Sequence, residues 1–385
     1  MNRITGVYEP TTIAGEVVSA FLPKPLPPVD PPLELDAKLA SRLGAAASAL
    51  QRLDTARDYI PSIEWFLYAF VRKEAVITSQ IEGTQSTLVD LLQFESEASD
   101  RPEADLREVC NYLDALEYAR KEIARPGGLP ISVRLLNGAH KRLMRGVRGA
   151  SKQPGEVRRS QNWIGGSRPG NAVFVPPPPS ALPDALTELE RYLHSGEGAP
   201  YLVRAGLAHA QFETIHPYVD GNGRIGRLLI ALLLEQWGLL RSPLLYVSLH
   251  FKRHRAEYYR RLERIRTDGD WEGWLDFFLD GVARIAEEAL ATARDLSRMI
   301  SEDRERVLGL ETTSVVAVRL FDLLPRHPIV SAKSVVELLG VSKPTAGRAL
   351  EHLVRSGVLV ETSGRRRDRR FAYDRYVELL RAGTD

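Results

Sequence analysis

The run His216-Pro217-Tyr218-Val219-Asp220-Gly221-Asn222-Gly223-Arg224-Ile225-Gly226-Arg227, followed by the apolar stretch Leu228–Leu234, concentrates more chemistry than any other part of the chain. Gly221 and Gly223 allow a sharp turn in which several backbone N–H groups converge on one spot. That spot opens a helix, where unpaired N–H groups and the helix dipole favour an anion. Arg224 and Arg227, three apart, emerge on one helical face and can grip successive phosphates bidentately. Asp220, just before the turn, is placed to hold a Mg²⁺ that bridges phosphate oxygens. His216 titrates near neutrality and is suited to taking a proton from an incoming hydroxyl. Glu213, three residues earlier, either faces the same site from a helix or is an ordinary exposed carboxylate.

Outward from this run the chain reads as mainly α. Residues 33–125 have a helical pattern broken at Pro61 and Pro102, and Ile131–Val147 forms a further helical stretch. Helices resume from Leu182 to about Leu310, the last of them (Gly281–Val307) long and heavily charged, as a connecting helix would be. Two segments break the pattern. Six prolines in residues 23–32 predict an extended polyproline arm. In residues 162–175, Trp163, Ile164, Val173, Phe174 and Val175 flank Gly165, Gly166, Pro169, Gly170 and Asn171, which is a hairpin signal closed by Pro176–Pro179.

The chain has 385 residues, 44% of them hydrophobic and 26% charged, with 52 basic and 50 acidic side chains. It is long enough for two or three domains, and its charges nearly cancel, so nucleic-acid affinity could come only from a local patch. One cysteine, Cys110, excludes an intramolecular disulfide and reads as a small core residue. A reducing cytoplasm is the expected compartment. No signal peptide is expected, because Val17–Leu22 is short and runs into prolines. No membrane span is expected either, since Leu228–Leu234 falls far short of the length required.

The 216–227 run closely resembles the signature of the Fic family, His-Pro-Phe-x-Asp/Glu-Gly-Asn-Gly-Arg-x-x-Arg, with Tyr218 in place of phenylalanine. The resemblance implies a Fic-type helical bundle with a β-hairpin flap, and a protein adenylyltransferase moving AMP from ATP to a Ser, Thr or Tyr hydroxyl of a target protein or of itself. It makes His216 the general base and Asp220 the Mg²⁺ ligand. Gly221, Asn222 and Gly223 become the anion cradle, running on through Arg224, Ile225, Gly226 and Arg227. Phosphate-transferring relatives carry a lysine where this chain has Gly223, so attack on the α-phosphate is implied. Tyr258 resembles a position near the nucleotide base.

Thr78-Ser79-Gln80-Ile81-Glu82-Gly83 resembles the family's inhibitory pattern, Ser/Thr-x-x-x-Glu-Gly/Asn. Thr78 and Glu82 lie one turn apart on one helical face. Gly83, read as lying inside the helix, costs about 1 kcal/mol against alanine and suggests a close approach. The resemblance implies that Glu82 pairs with Arg227 in place of the γ-phosphate; a role for Glu82 in orienting a water for AMP removal stays open. The flap, 162–175, is expected to dock a target segment by strand addition.

From Thr312 the pattern is helix (Val315–Leu324), helix (Ser331–Leu339), helix (Lys343–Ser356), and then a hairpin pairing Val358–Val360 with Phe371–Tyr373. It resembles a winged helix-turn-helix. From Thr312 to Asp385 there are 13 Lys or Arg against 8 Asp or Glu, with Arg365, Arg366, Arg367, Arg369 and Arg370 at the wing tip. DNA binding through 331–375 and a role in dimerisation or protein contact are both open. The expected organisation is 1–125, a helical region with proline arm and inhibitory helix; 126–310, a catalytic core with connecting helix; and 311–385, a winged helix. A homodimer joins the target protein and DNA among expected partners. Two other functions stand beside the transferase: a nucleotide-sensing DNA-binding regulator, and a phosphodiesterase that removes AMP.

Overall fold

The computed structural model describes residues 3–58, 62–96, 102–147, 152–196, 198–310, 314–364 and 368–384. It opens with an antiparallel ribbon of β1 (Gly6–Ile13) and β2 (Glu16–Pro23), joined at Ala14-Gly15, both with positive φ. Helices α1 (Ala37–Ala56), α2 (Ile63–Ile81), α3 (Leu88–Ser96), α4 (Ala104–Ala124) and α5 (Val133–Leu143) follow, then α6 (Leu182–His194), α7 (Tyr201–Ile215), α8 (Asn222–Gln236), α9 (Ser248–Arg253), α10 (Arg255–Asp268) and α11 (Trp271–Leu308).

Helices α7 and α8 form the centre. Nearly every residue of α7 and of the first three turns of α8 is buried, the polar Arg204, His209, Gln211, Arg224 and Arg227 among them. The other helices are amphipathic and pack around this pair. Helix α11, 38 residues and roughly 57 Å long at 1.5 Å per residue, lies along α1 through Arg42 to Asp276 and Asp280 and Arg52 to Glu287.

The C-terminal part comprises α12 (Val315–Leu323), β3 (Ile329–Ser331), α13 (Ala332–Leu339), α14 (Lys343–Arg355), β4 (Val360–Glu361), β5 (Arg370–Ala372) and α15 (Asp374–Arg381). The strand order is β3-β5-β4, all antiparallel. Its core is continuous with that of the helical bundle, from Leu39 to Leu380. Buried Asp303 of α11 accepts from the Tyr373 hydroxyl at 2.8 Å and pairs with Arg375 and Arg306. Lys73 of α2 donates to the Ala382 carbonyl at 2.7 Å, and Lys252 bonds both Gln80 and the Thr384 carbonyl.

The mainly helical reading holds, with local corrections. Val17–Leu22 is strand β2, and the β1–β2 ribbon was not anticipated. The proline segment does not run straight: Val29 bridges to Pro32, and the buried Arg3 guanidinium straps it through the carbonyls of Pro31 and Pro32. Flap 162–175 doubles back, but only Ile164 and Phe174 pair, because Gly165 and Gly166 sit at positive φ and a 3₁₀ turn at Pro169–Asn171 fills the tip. The connecting helix starts at Trp271, ten residues earlier than expected. In the C-terminal hairpin, Val360 and Glu361 pair with Ala372 and Phe371. Val358 and Leu359 are buried in the core instead, and the Tyr373 N–H bonds Pro328. Pro61, Arg148, Gly149 and Arg365–Arg367 lie outside the described residues.

Candidate active site

Helix α7 ends where His216 turns into the left-handed region (φ 50°, ψ 61°). A side chain there costs about 1–2 kcal/mol, so neighbours must hold it. Arg158 does so: its Nε donates to the His216 carbonyl at 3.0 Å, its N–H to the Pro217 carbonyl at 2.9 Å, and its Nη2 to the Pro177 carbonyl at 2.5 Å. Burial, and next the Arg158 charge, push His216 down to about 4, while the Glu213 carbonyl and Glu82 act in the opposite direction. The imidazole therefore does not titrate near neutrality, as its residue type led one to expect, but is neutral near pH 7 and able to accept a proton.

Beyond Pro217 the chain is stapled into its turn by Asn222, whose Oδ1 accepts from the Tyr218 N–H and whose Nδ2 donates to the Tyr218 carbonyl, both at 2.8 Å. Gly221 has φ +79°, a conformation that disfavours any side chain. As N-cap of α8 it supplies no side-chain cap, so the first amides of α8 remain available to an anion. His140 stacks on Tyr218 with ring centroids 3.9 Å apart. Its Nδ1 accepts from the Gly155 N–H, so Nε2 carries the proton and donates to the Asp220 carbonyl at 3.0 Å. Burial lowers His140 to about 4 and keeps this tautomer neutral.

Both arginines are buried and engaged. Arg224 Nη1 meets Glu108 of α4 at 2.8 Å. Arg227 donates from Nε to Thr78 Oγ1 at 2.7 Å, and from Nη2 to the Thr78 carbonyl at 3.1 Å and Glu82 Oε1 at 2.6 Å. Burial alone would raise the Glu82 carboxyl, but Arg227 outweighs it and holds it below its ordinary value. A Cβ on Gly223 would lie 2.3 Å from Glu82 Oε1, so a side chain there would push the carboxylate away from its present place.

Asp220 Oδ2 pairs with Lys152 at 3.2 Å, and Oδ1 accepts from the Gly221 N–H. No group of three or more His, Cys, Asp or Glu side chains suited to a metal occurs among the described residues. Mg²⁺ does not require one, since it commonly takes one or two carboxylates, waters and substrate phosphates. The half-exposed Asp220 carboxylate, with an ammonium already on it, fits that pattern.

Other expected residues stand differently. The Asn222 amide is spent on Tyr218, so only its backbone N–H is left for a ligand. Ile225 is buried in the core and contributes no ligand contact through its side chain. Gly83 lies just past the end of α2 at φ +100°, and a Cβ added there would meet nothing within 4 Å, so it serves chain reversal and not close approach. Tyr258 is buried among aromatic rings, its hydroxyl 2.9 Å from His209 Nε2. Its neighbour Tyr259 is 43% exposed and senses Glu82 and Arg227 electrostatically. Lys152, His140, Arg158 and Glu108 were not foreseen.

Glu213 does face inward. Its Oε1 is buried without a hydrogen-bond partner among the described residues, 2.3 Å from where a Gly226 Cβ would lie. Burial raises it from 4.5 to about 7, with Arg227 pulling the other way. The folded state thus binds more protons than the unfolded chain between these values, and this contribution to stability is lost as pH rises through 7. A Glu213→Gln protein should gain stability relative to the parent between about pH 5 and pH 8. Urea midpoints at the two pH values measure it; a pH-independent difference would contradict the assignment.

The helical bundle thus brings a histidine, a glycine turn and two arginines of one helix together, the arrangement of the Fic signature. Residues 40–121 match the Fic/DOC family N-terminal domain and residues 130–234 the Fic/DOC family domain. The protein adenylyltransferase Fic of Drosophila persimilis is 27% identical over 297 residues, covering 74% of this chain and 53% of that protein. That of Drosophila melanogaster is 27% identical over 285 residues, covering 69% and 54%. The chain thus spans about half the length of these curated relatives. A Fic family protein from Desulfovibrio desulfuricans G20 superposes with a TM-score of 0.57 at 21% identity, covering 88% of this chain and 97% of that one. Fic-1 from C. elegans gives 0.50 at 21% identity, covering 68% and 74%. Residues 40–121 and 130–234 of this chain thus carry the two Fic/DOC family segments, and the chain is similar in sequence and fold to Fic proteins.

Proposed function

We propose that this chain is a protein adenylyltransferase held in check by Glu82. The observation that carries the reading is the convergence of neutral His216, the open first turn of α8, and Arg224 and Arg227 on one glycine turn. His216 takes the proton of an acceptor hydroxyl. The hydroxyl oxygen bonds to the α-phosphorus of ATP, the bond from that phosphorus to the α,β-bridging oxygen breaks, and pyrophosphate leaves. The α8 amides and the arginines stabilise charge on the phosphates. Asp220 would hold Mg²⁺, which neutralises phosphate charge when bound. Mass spectrometry of Glu82→Gly protein with Mg²⁺ and each nucleoside triphosphate tests this: a gain of one AMP, from ATP, is expected. No adduct from any triphosphate would overturn it.

The target segment docks on the flap at 162–175, where Trp163 and Val173 are exposed. The flap exit is already tied to β2 by the Phe21 N–H to the Val175 carbonyl, which leaves the 162–164 side for strand addition. A homodimer and a cytoplasmic setting complete the reading, with the chain divided at 125/126 and 310/311. No helix among the described residues is long and apolar enough to cross a membrane.

A second reading concerns 331–375 as a winged helix that binds DNA. Helix α14 turns Lys343, Arg348 and Arg355 to solvent, next to the β4–β5 hairpin. A shift of duplex DNA abolished by Arg348→Glu would support it; an unaltered or absent shift would remove it.

A further inference from the structure

Arg224 and Arg227 differ in which part of the guanidinium is occupied. In Arg227, Nε and Nη2, the edge that matches two oxygens at once, are filled by Thr78 and Glu82. In Arg224 the carboxylate of Glu108 takes Nη1 from the other side. Its Nε is buried and has no hydrogen-bond partner among the described residues, and its Nη2 lies 3.8 Å from Asp220 Oδ1. The open edge of Arg224 is therefore turned toward the carboxylate at the glycine turn.

We propose that Glu108 is a positioning residue for nucleotide binding, holding Arg224 from behind so that its Nε–Nη2 edge meets a phosphate of the bound nucleotide. Glu108 rises from α4, within the N-terminal family segment, and crosses to α8 in the other, so the first arginine of the turn is aimed by a different domain. Its Oε2 also accepts from Thr84 Oγ1 at 3.2 Å, in the loop just past Glu82. A buried guanidinium without a counter-charge is costly; Glu108 supplies that charge and leaves the bidentate edge open. Glu82 blocks an arginine, whereas Glu108 prepares one.

This rests on the reading of Arg224 as a phosphate ligand, and the test separates the two. ATP, ADP and AMP are titrated by calorimetry into full-length Glu82→Gly protein and into the same protein carrying Glu108→Gln, Glu108→Asp or Arg224→Ala. Glu108→Gln should weaken ATP and ADP about tenfold or more, as loss of an oriented charge-assisted contact does, and leave AMP unchanged. Glu108→Asp, which keeps the charge, should recover part of the loss; it also carries the comparison if the glutamine variant fails to fold. An equal loss for all three nucleotides would make Glu108 a mere prop for the fold. Tighter ATP binding would make it a second brake. No change in affinity would leave it without a role at the site. Each of these overturns the proposal. If Arg224→Ala binds ADP as the parent does, the phosphate reading of Arg224 fails by itself.

Discussion

Glu82→Gly is expected to raise AMP incorporation by roughly ten- to a hundredfold, since a hydrogen bond between charged groups contributes about 1.5–3 kcal/mol. The Glu82 carboxylate sits 2.6 Å from Arg227 Nη2, and Thr78 fills Nε. In the proposed reaction a γ-phosphate would need the same edge, so ATP would have to displace the carboxylate or bind in a pose that misplaces its α-phosphorus. Glycine removes the competitor at little structural cost, because Glu82 stands at the very end of α2, where the helix has already begun to unwind. Thr78 remains to hold Arg227 in place. Transfer of label from α-³²P-ATP, followed over time in both proteins, measures the effect. Equal rates would mean that the pair does not limit the reaction and that the brake lies elsewhere.

His216→Ala in the same background should lower transfer by about 10²–10⁴-fold, the usual contribution of a positioned base, while ATP binding persists. In the proposed reaction the phosphate contacts would come from α8 and its arginines, not from the imidazole, so affinity and turnover should separate. Alanine pays much the same cost in the left-handed region as histidine does, and Arg158 binds the carbonyl of whichever residue stands there. The pH dependence adds a second check. With His216 held near 4, the group is already deprotonated across about pH 6 to 8, so the rate should be flat there with respect to it and fall only in strong acid. Wild-type labelling by the alanine variant, or a steep rise centred near 6.5, would contradict the assignment of His216 as base.

What could be read from the residues depended on how local the chemistry was. The glycine turn compresses its donors into twelve consecutive positions, and the helices on either side have a clear apolar period. The partner of Arg227 was legible only through the resemblance of Thr78–Gly83 to the family's inhibitory pattern; the one-turn spacing of Thr78 and Glu82 by itself names no partner. Glu108, by contrast, is one acid among several on an amphipathic helix, and only tertiary packing brings it 116 positions along the chain to Arg224. Arg158 and His140 act through backbone carbonyls, which leave no mark on the sequence. The β1–β2 ribbon escaped because Ala14-Gly15 lacks the Asn-Gly or Asp-Gly turn signal and Pro10 interrupts β1. At Tyr258 and Tyr259, helical spacing decides which ring enters the core and which remains outside, and adjacent tyrosines look alike on paper.

The helix that ends in Glu82 is not anchored by its neighbours in the N-terminal half alone. Lys73 and Gln80 reach, directly or through Lys252, the main chain at positions 382 and 384. A shortened protein ending near residue 310 would lose these distant moorings while retaining every residue of the glycine turn and of the inhibitory pattern. Its resting activity would then describe a loosened helix, and comparisons of basal turnover are meaningful only between chains that keep this far end.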